Sequence, residues 1–255
     1  NPEYVVNVSA QGMVAQSLDN PEYWYQTNIV TQARVFSLLK ESSMLNRYVH
    51  VTTPEVYGGT VDWMKESTMY SPSTPYAVSR AACDMHLQNL YREYDFPVVF
   101  TRSSNVYGPG QQLYRIIPRT ILFALTGRKL QLHGGGLSDR SFIHINDVVK
   151  ATYLVSVKGT PGSCYHISTR KTLSIRSLVE IICNRVGVSF EDLVEITEDR
   201  VGKDGAYRLD SSFIRDQMNW TDEVDLNNGI EDTMSWIIDN LSILEEQPLE
   251  YYHKA

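Results

Sequence analysis

Cysteine is scarce in this chain of 255 residues: Cys83, Cys164 and Cys183, an odd number with no C-x-x-C pair. That argues against a disulfide framework and against a thiolate zinc site, and makes a reducing, cytoplasmic home the expectation. Basic charge is also short. The 23 Lys and Arg stand against 30 Asp and Glu, a formal charge of -7. Nucleic acid or an anionic membrane needs a cationic surplus to displace counterions, so neither partner is expected. Long apolar runs are missing too. Tyr4–Val8 and Ile116–Leu125, the latter interrupted by Arg119, fall short of the roughly 20 residues that cross a bilayer. No basic segment followed by an apolar one opens the chain as a leader would. His50, His86, His133, His144, His166 and His253 show no H-E-x-x-H or similar ligand spacing, so no metal site is expected.

What is present reads as an ordinary globular protein. Hydrophobic residues make up 42% and charged residues 21%, enough for a full-sized core in one or two domains. The chain opens at Asn1 without Met, and Tyr4–Val8 already reads as a buried strand, so a preceding segment is expected. Asn20-Pro21 is a helix-start pair leading to a helix that ends near Lys40. Arg47–Thr53 reads as a strand, and Ser73-Thr74-Pro75 opens a long helix to Tyr94 with Ala81, Met85 and Tyr91 facing inward. Pro97–Thr101 is a third strand. Shorter elements follow: a helix over Ile116–Thr126, a strand over Ser141–Ile145, a helix from Asn146 and a strand over Cys164–Ser168. Helices over Ile175–Val186 and Asn228–Leu241 complete the reading. Alternating apolar strands and helices predict an α/β fold, a doubly wound parallel sheet with an interleaved smaller lobe. In such sheets ligands bind beyond the carboxyl ends of the strands. That directs attention to Ser9–Ser17, Thr52–Gly58, Ser103–Gly110 and the stretch after Ile145.

Two of these places carry proton-transfer groups. Thr53 and Glu55 lie two residues apart at a strand end, a hydroxyl and a carboxylate suited to acid–base work. Tyr76 and Arg80, four residues apart, share a helix face. A guanidinium there favours the phenolate and is expected to lower the Tyr76 pKa.

A strand-end Thr, a Tyr 23 positions later and a basic residue one helical turn on resemble the short-chain dehydrogenase/reductase superfamily. The closer resemblance is to its extended branch, the NAD-dependent sugar-nucleotide epimerases and dehydratases. It runs from residue 1 to about 241. It includes Ser9-Ala10-Gln11, then Ser17, Asn28, Thr53-x-Glu55-Val-Tyr-Gly58, Tyr76, Arg102-Ser-Ser-Asn105-Val-Tyr-Gly-Pro109, Arg140-Ser-Phe-Ile-His-Ile-Asn-Asp147 and Leu209-Asp210. The resemblance implies a Rossmann-type domain over 1–110 and about 139–170. The substrate lobe would then take about 111–138 and 171–255.

The resemblance further implies NAD as cofactor, contacted by Ser9, Ala10, Gln11, Asn28, Tyr76, Arg80 and Ser103. Tyr76 would take the sugar C4 hydroxyl proton, Thr53 would bond the same oxygen, and Glu55 would remove the C5 proton. Arg80 completes the catalytic set. A nucleoside-diphosphate sugar would be held by Asn105, Arg115, Arg140 and Arg200. A homodimer through the helices Pro21–Lys40 and Tyr76–Tyr94 is also implied. Glu55 and the nine residues from Gly110 to Pro118 resemble the dTDP-glucose 4,6-dehydratases most closely. Three departures stand out. Pro54 replaces their acidic Asp, Arg80 replaces the family's Lys, and the G-x-x-G-x-x-G cofactor turn is not in the sequence. The last implies about three strands ahead of residue 1. A 4,6-dehydratase is therefore expected. The alternatives are a UDP-sugar 4-epimerase or decarboxylase, and a non-catalytic sugar-nucleotide-binding relative.

Overall fold

The computed structural model describes residues 2–59, 62–198 and 208–251. In chain order the first half runs β1 (Tyr4–Asn7), α1 (Pro21–Tyr25), α2 (Gln32–Lys40), β2 (Arg47–Thr52), α3 (Pro75–Tyr94) and β3 (Val98–Ser103). Shorter pieces follow: β4 (Asn105–Tyr107), α4 (Ile116–Thr126), β5 (Leu130–His133), β6 (Asp139–Arg140), β7 (Phe142–His144), α5 (Ile145–Lys158) and β8 (Cys164–Ile167). Then come β9 (Leu173–Ser174), α6 (Ile175–Val186), α7 (Phe190–Leu193), β10 (Val194–Thr197), α8 (Ser212–Met218), α9 (Leu226–Asp239) and α10 (Leu241–Leu244).

Strands β1, β2, β3 and β8 form one parallel sheet in that order. Alternate residues of the two central strands point to opposite faces, as strand geometry requires. Tyr48, Val98 and Phe100 meet Phe36 of α2 and Leu87 and Leu90 of α3 on one face. Val49 and Val99 meet Ala151 and Val155 of α5 and Ile214 and Met218 of α8 on the other. Burial on both faces explains why β2 and β3 carry apolar residues on both sides, Val49 and Val99 on one and Tyr48, Val98 and Phe100 on the other. All four strands end on one edge, at Asn7, Thr52, Ser103 and Ile167, and the site is built there.

Helix α3 begins where Thr74 caps it, its hydroxyl accepting from the Ala77 N–H at 3.3 Å, with Pro75 in the first turn. It stops at Asp95, whose left-handed backbone (φ 52°) closes the helix. Helix α6 carries the stripe Leu178, Val179, Ile182 and Cys183, all buried. Each of its three aliphatic side chains contributes about 1.5–3 kcal/mol by leaving water. They pack on α4 and on the parallel pair β5–β10.

Several expectations need correction. Strand β1 is an edge of the described sheet, so it is not buried: Tyr4 and Val6 are half exposed. Met85 points outward at 52% exposure, because Ala81 and Leu87 occupy the inner face of α3. The single helix expected to Lys40 is interrupted by a π-helical stretch over Gln26–Thr31, and the Asn20 side chain makes no capping bond. Residues 212–220, grouped by sequence with the lobe, supply Ile214, Met218 and Trp220 to the core of the main sheet. Among the described residues, no helix is long and apolar enough to cross a membrane.

Candidate active site

Beyond the end of β2 the chain turns sharply. Thr53 is extended (φ -138°, ψ 147°), Pro54 occupies the first position of a 3-10 turn, and the Thr53 hydroxyl accepts from the Glu55 N–H at 3.4 Å. Val56 and Tyr57 plunge into the interior, which anchors the turn from below. Gly58 closes it at φ 73°, and a Cβ there would lie 2.5 Å from the Ser71 carbonyl oxygen. Only glycine fits that position. Glu55 is thereby left half-buried at the rim, where the Thr53 hydroxyl donates to its carboxylate.

The first turn of α3 brings Tyr76 to the same place. Its side chain hydrogen-bonds Thr53, and its backbone N–H donates to Ser17 Oγ at 3.1 Å. Thr53, Glu55 and Tyr76, expected together from the sequence, do converge. Asn28 holds the loop after β1 against them. Its amide oxygen accepts from the Gln11 N–H at 2.7 Å, while its Nδ2 donates to the Gln11 carbonyl at 3.0 Å and to Ser79 Oγ at 2.9 Å. Asn28 is fully buried, so it supports the cofactor-side loop from beneath. Trp24 adds a bond from Nε1 to the Gly12 carbonyl at 2.7 Å.

The electrostatics differ from expectation. The Tyr76 pKa is raised, not lowered. Burial is the largest cause and the Glu55 charge adds to it. Arg80, the Thr53 bond and Arg115 pull the other way and are outweighed. Arg80 turns inward beneath the end of β2 rather than out into the site. It is 2% exposed, donates to the Val51 carbonyl and lies 3.4 Å from His50 Nε2. A longer, planar side chain in place of the family's lysine turns inward because a carbonyl and a neutral imidazole await it there. Burial, then the charges of Arg80 and Arg102, hold the His50 pKa well below its ordinary value. Arg80 therefore acts on Tyr76 through its field.

A buried ionic cluster fixes this floor. Arg102 Nη2 donates to Asp84 Oδ2 at 2.7 Å and to the Tyr70 hydroxyl at 2.8 Å, and Nη1 donates to Tyr57. Tyr57 in turn meets His166 Nε2 at 2.9 Å. The buried tyrosine of the Thr53–Gly58 segment is thus bolted to the ends of β3 and β8.

The other expected residues scatter. Ser9 and Ala10 are exposed at the end of β1, and Gln32 Nε2 donates to Ser9 Oγ at 3.1 Å. Ser103 ends β3, and Asn105 is exposed on β4 with its amide on the Ser141 carbonyl at 3.1 Å. Arg140 lies on β6, donating to the Asp139 carbonyl at 2.8 Å. Arg200 falls outside the described residues. Arg115 stands at the start of α4 and lines a cleft of about 420 Å³ with Ala10, Gln11, Gly12, Met13, Gln112, Tyr114 and Tyr251. Gln112, Tyr114 and Tyr251 were not singled out from the sequence. Only the fold brings a residue near position 250 beside one near position 10.

A family model described as GDP-mannose 4,6 dehydratase matches residues 1–233. The chain belongs to that family. Among its relatives, a dTDP-glucose 4,6-dehydratase of Neisseria gonorrhoeae is 32% identical over 260 residues, covering 94% of this chain and 75% of that protein. A trifunctional UDP-glucose 4,6-dehydratase/epimerase/reductase of Arabidopsis thaliana is 30% identical over 244 residues, and the chain spans only 36% of its length. The structure superposes on a Streptomyces venezuelae dTDP-glucose 4,6-dehydratase, solved with NAD and TYD bound, with a TM-score of 0.88 at 30% identity. That match covers 94% of this chain and 74% of the other. The donors along the strand-end edge of this family member suit the nicotinamide-ribose half of NAD. Tyr76 and Ser103 carry hydroxyls and Gln11 a carboxamide, groups of the kind that ribose and carboxamide take, whereas the Ser9 hydroxyl already donates to Asn7 Oδ1 at 2.6 Å.

Proposed function

We propose that this chain carries the catalytic centre of a nucleoside-diphospho-hexose 4,6-dehydratase. The observation that carries the reading is the continuous hydrogen-bonded set Tyr76–Thr53–Glu55 at the sheet's carboxyl edge. NAD, held by Ser9, Ala10, Gln11, Tyr76 and Ser103, supplies the redox chemistry at sugar C4 when bound. Tyr76 Oη takes the C4 hydroxyl proton, and Thr53 orients that oxygen. With C4 a ketone, the C5 proton is acidic enough for a carboxylate, and Glu55 removes it.

Pro54 can donate no proton to the departing C6 hydroxyl. In this reading Glu55, having collected the C5 proton, passes it on. The C5–H and C6–O bonds break, the C5–C6 double bond forms and water leaves; the hydride removed from C4 would then return to C6 as a proton adds at C5, leaving a 4-keto-6-deoxy sugar with no net oxidation. Arg115 in the cleft, with Asn105, Arg140 and Arg200, meets the diphosphate, a task suited to the planar guanidinium fork. A homodimer through the helical stretch Pro21–Lys40 and α3 belongs to the same reading, since Leu38 and Met85 are exposed there.

The test is incubation of the full chain with NAD⁺ and dTDP-, UDP- and GDP-hexoses, read by mass spectrometry. A product lighter by one water is expected from at least one of them. Turnover without a mass change would favour the 4-epimerase reading, to which Pro54 is no obstacle. Binding without turnover would favour a non-catalytic relative.

A further inference from the structure

The segment Leu249–Tyr251 reaches the cleft from a distant part of the sequence. Arg119, on α4, donates to the Leu249 carbonyl at 2.9 Å and pairs with Glu250. Leu249 packs on the lobe's core. Next to this anchor, Tyr251 turns into the cleft, where its hydroxyl accepts from Gln11 Nε2 and its ring meets Tyr114 edge-on at 5.9 Å. Gln11 belongs to the loop that leads from β1 toward α1, and Tyr114 precedes Arg115. The strap therefore joins the cofactor-side loop to the substrate lobe across the opening between them. Its anchor lies outside the cleft and its aromatic end inside, a geometry that holds Tyr251 in place independently of any ligand.

We propose that Tyr251 is a substrate-binding residue, one wall of the nucleotide-sugar cleft, held in position by Arg119. The cleft's polar lining, two carboxamides, two phenols and one guanidinium, is rich in neutral hydrogen-bonding groups with a single cation. That composition matches a hydroxyl-rich sugar carrying phosphate. An aromatic ring beside it offers a flat apolar surface to a pyranose or a base, and its hydroxyl a hydrogen bond. This inference rests on the proposed reaction for the identity of the ligand, but not on turnover.

The experiment compares wild type, Tyr251→Ala, Tyr251→Phe and Arg119→Ala in the full chain. It measures KM and kcat for dTDP-glucose with NAD⁺ present, and binding of thymidine diphosphate by calorimetry. Tyr251→Ala is expected to raise KM and the diphosphate Kd about tenfold, with kcat within about twofold. Arg119→Ala should shift both constants in the same direction, and Tyr251→Phe less than Tyr251→Ala. Unchanged KM and Kd in Tyr251→Ala would overturn the proposal, as would a loss of kcat at unchanged KM. If wild type binds the diphosphate but turns over nothing, the reaction assignment falls. The strap is then judged by whether Tyr251→Ala weakens binding. If wild type binds neither probe, the proposal falls as well. Thermal unfolding of each variant separates a lost contact from a lost fold.

Discussion

Asp84 Oδ2 and Arg102 Nη2 lie 2.7 Å apart, and neither side chain is more than 1% exposed. Asp84 stands one helical turn beyond Arg80 on α3, and its other oxygen lies 3.5 Å from His50. One carboxylate thus pairs directly with Arg102 and faces Arg80 across a neutral histidine. Removing it leaves charges in the interior without a counterion, a change that costs about 3–5 kcal/mol. Asp84→Asn is expected to lower the denaturant midpoint accordingly, measured by urea unfolding. Because Arg102 holds Tyr57, the same variant should also loosen the Thr53–Gly58 turn, seen as faster amide exchange there.

Glu55→Gln is expected to keep the fold and to lower dehydration by about 10²–10⁴-fold, the usual contribution of a positioned acid–base group. Oxidation at C4, followed by absorbance of the reduced cofactor, should survive, since the proposed mechanism gives that step to Tyr76 and Thr53.

The pH dependence of that oxidation follows from Tyr76. Its pKa is raised, by burial first and by Glu55 second, so the phenolate fraction, and the rate, should rise with pH above neutrality. Arg80→Gln removes a charge that favours the phenolate and should move the rising limb further to alkaline pH. Glu55→Gln removes a charge that opposes it and should move the limb toward acid. Stopped-flow measurement of C4 oxidation across pH distinguishes the three proteins.

Acid stability should be governed in part by His166. It is fully buried, with Tyr57 on Nε2 and the Met64 and Asp210 carbonyls at 3.2 Å from Nδ1. Burial, with the Arg102 charge, lowers its pKa from 6.5 to about 3. Below pH 6.5 the unfolded chain takes up a proton that the folded one refuses. Stability is therefore lost as pH falls through that window, by about 1.4 kcal/mol per pH unit for this one group. His166→Asn should flatten the dependence in urea unfolding between pH 6 and about 4.

The sequence made the frame and the convergence of Thr53, Glu55 and Tyr76 legible because both rest on local chemistry. Thr74-Pro75 starts α3 where a cap and a first-turn proline must. Thr53, Glu55 and Tyr76 lie within 23 positions of one another, at strand and helix ends that alternation had located. What stayed hidden depends on tertiary burial. The direction of the Tyr76 shift was misread because the sequence shows Arg80 beside it but not the burial that outweighs Arg80. The inward turn of Arg80 depends on His50 and Val51, which belong to another element. Strands β5 and β10 pair across about 60 residues of intervening chain, a partnership no local pattern encodes. Tyr251 meets Gln11 at a separation of 240 residues, for the same reason.

The central claim is that Tyr76, Thr53 and Glu55 dehydrate a nucleotide sugar with a single carboxylate. Its most direct test is the reaction of wild type and Glu55→Gln with dTDP-glucose and NAD⁺ in deuterium oxide, analysed by mass spectrometry and proton NMR. Wild type is expected to give a 4-keto product that has lost water and carries one solvent deuterium at C5. Glu55→Gln should give neither dehydration nor exchange at C5. Dehydration by Glu55→Gln at the wild-type rate, or a wild-type product of unchanged mass, would contradict the account.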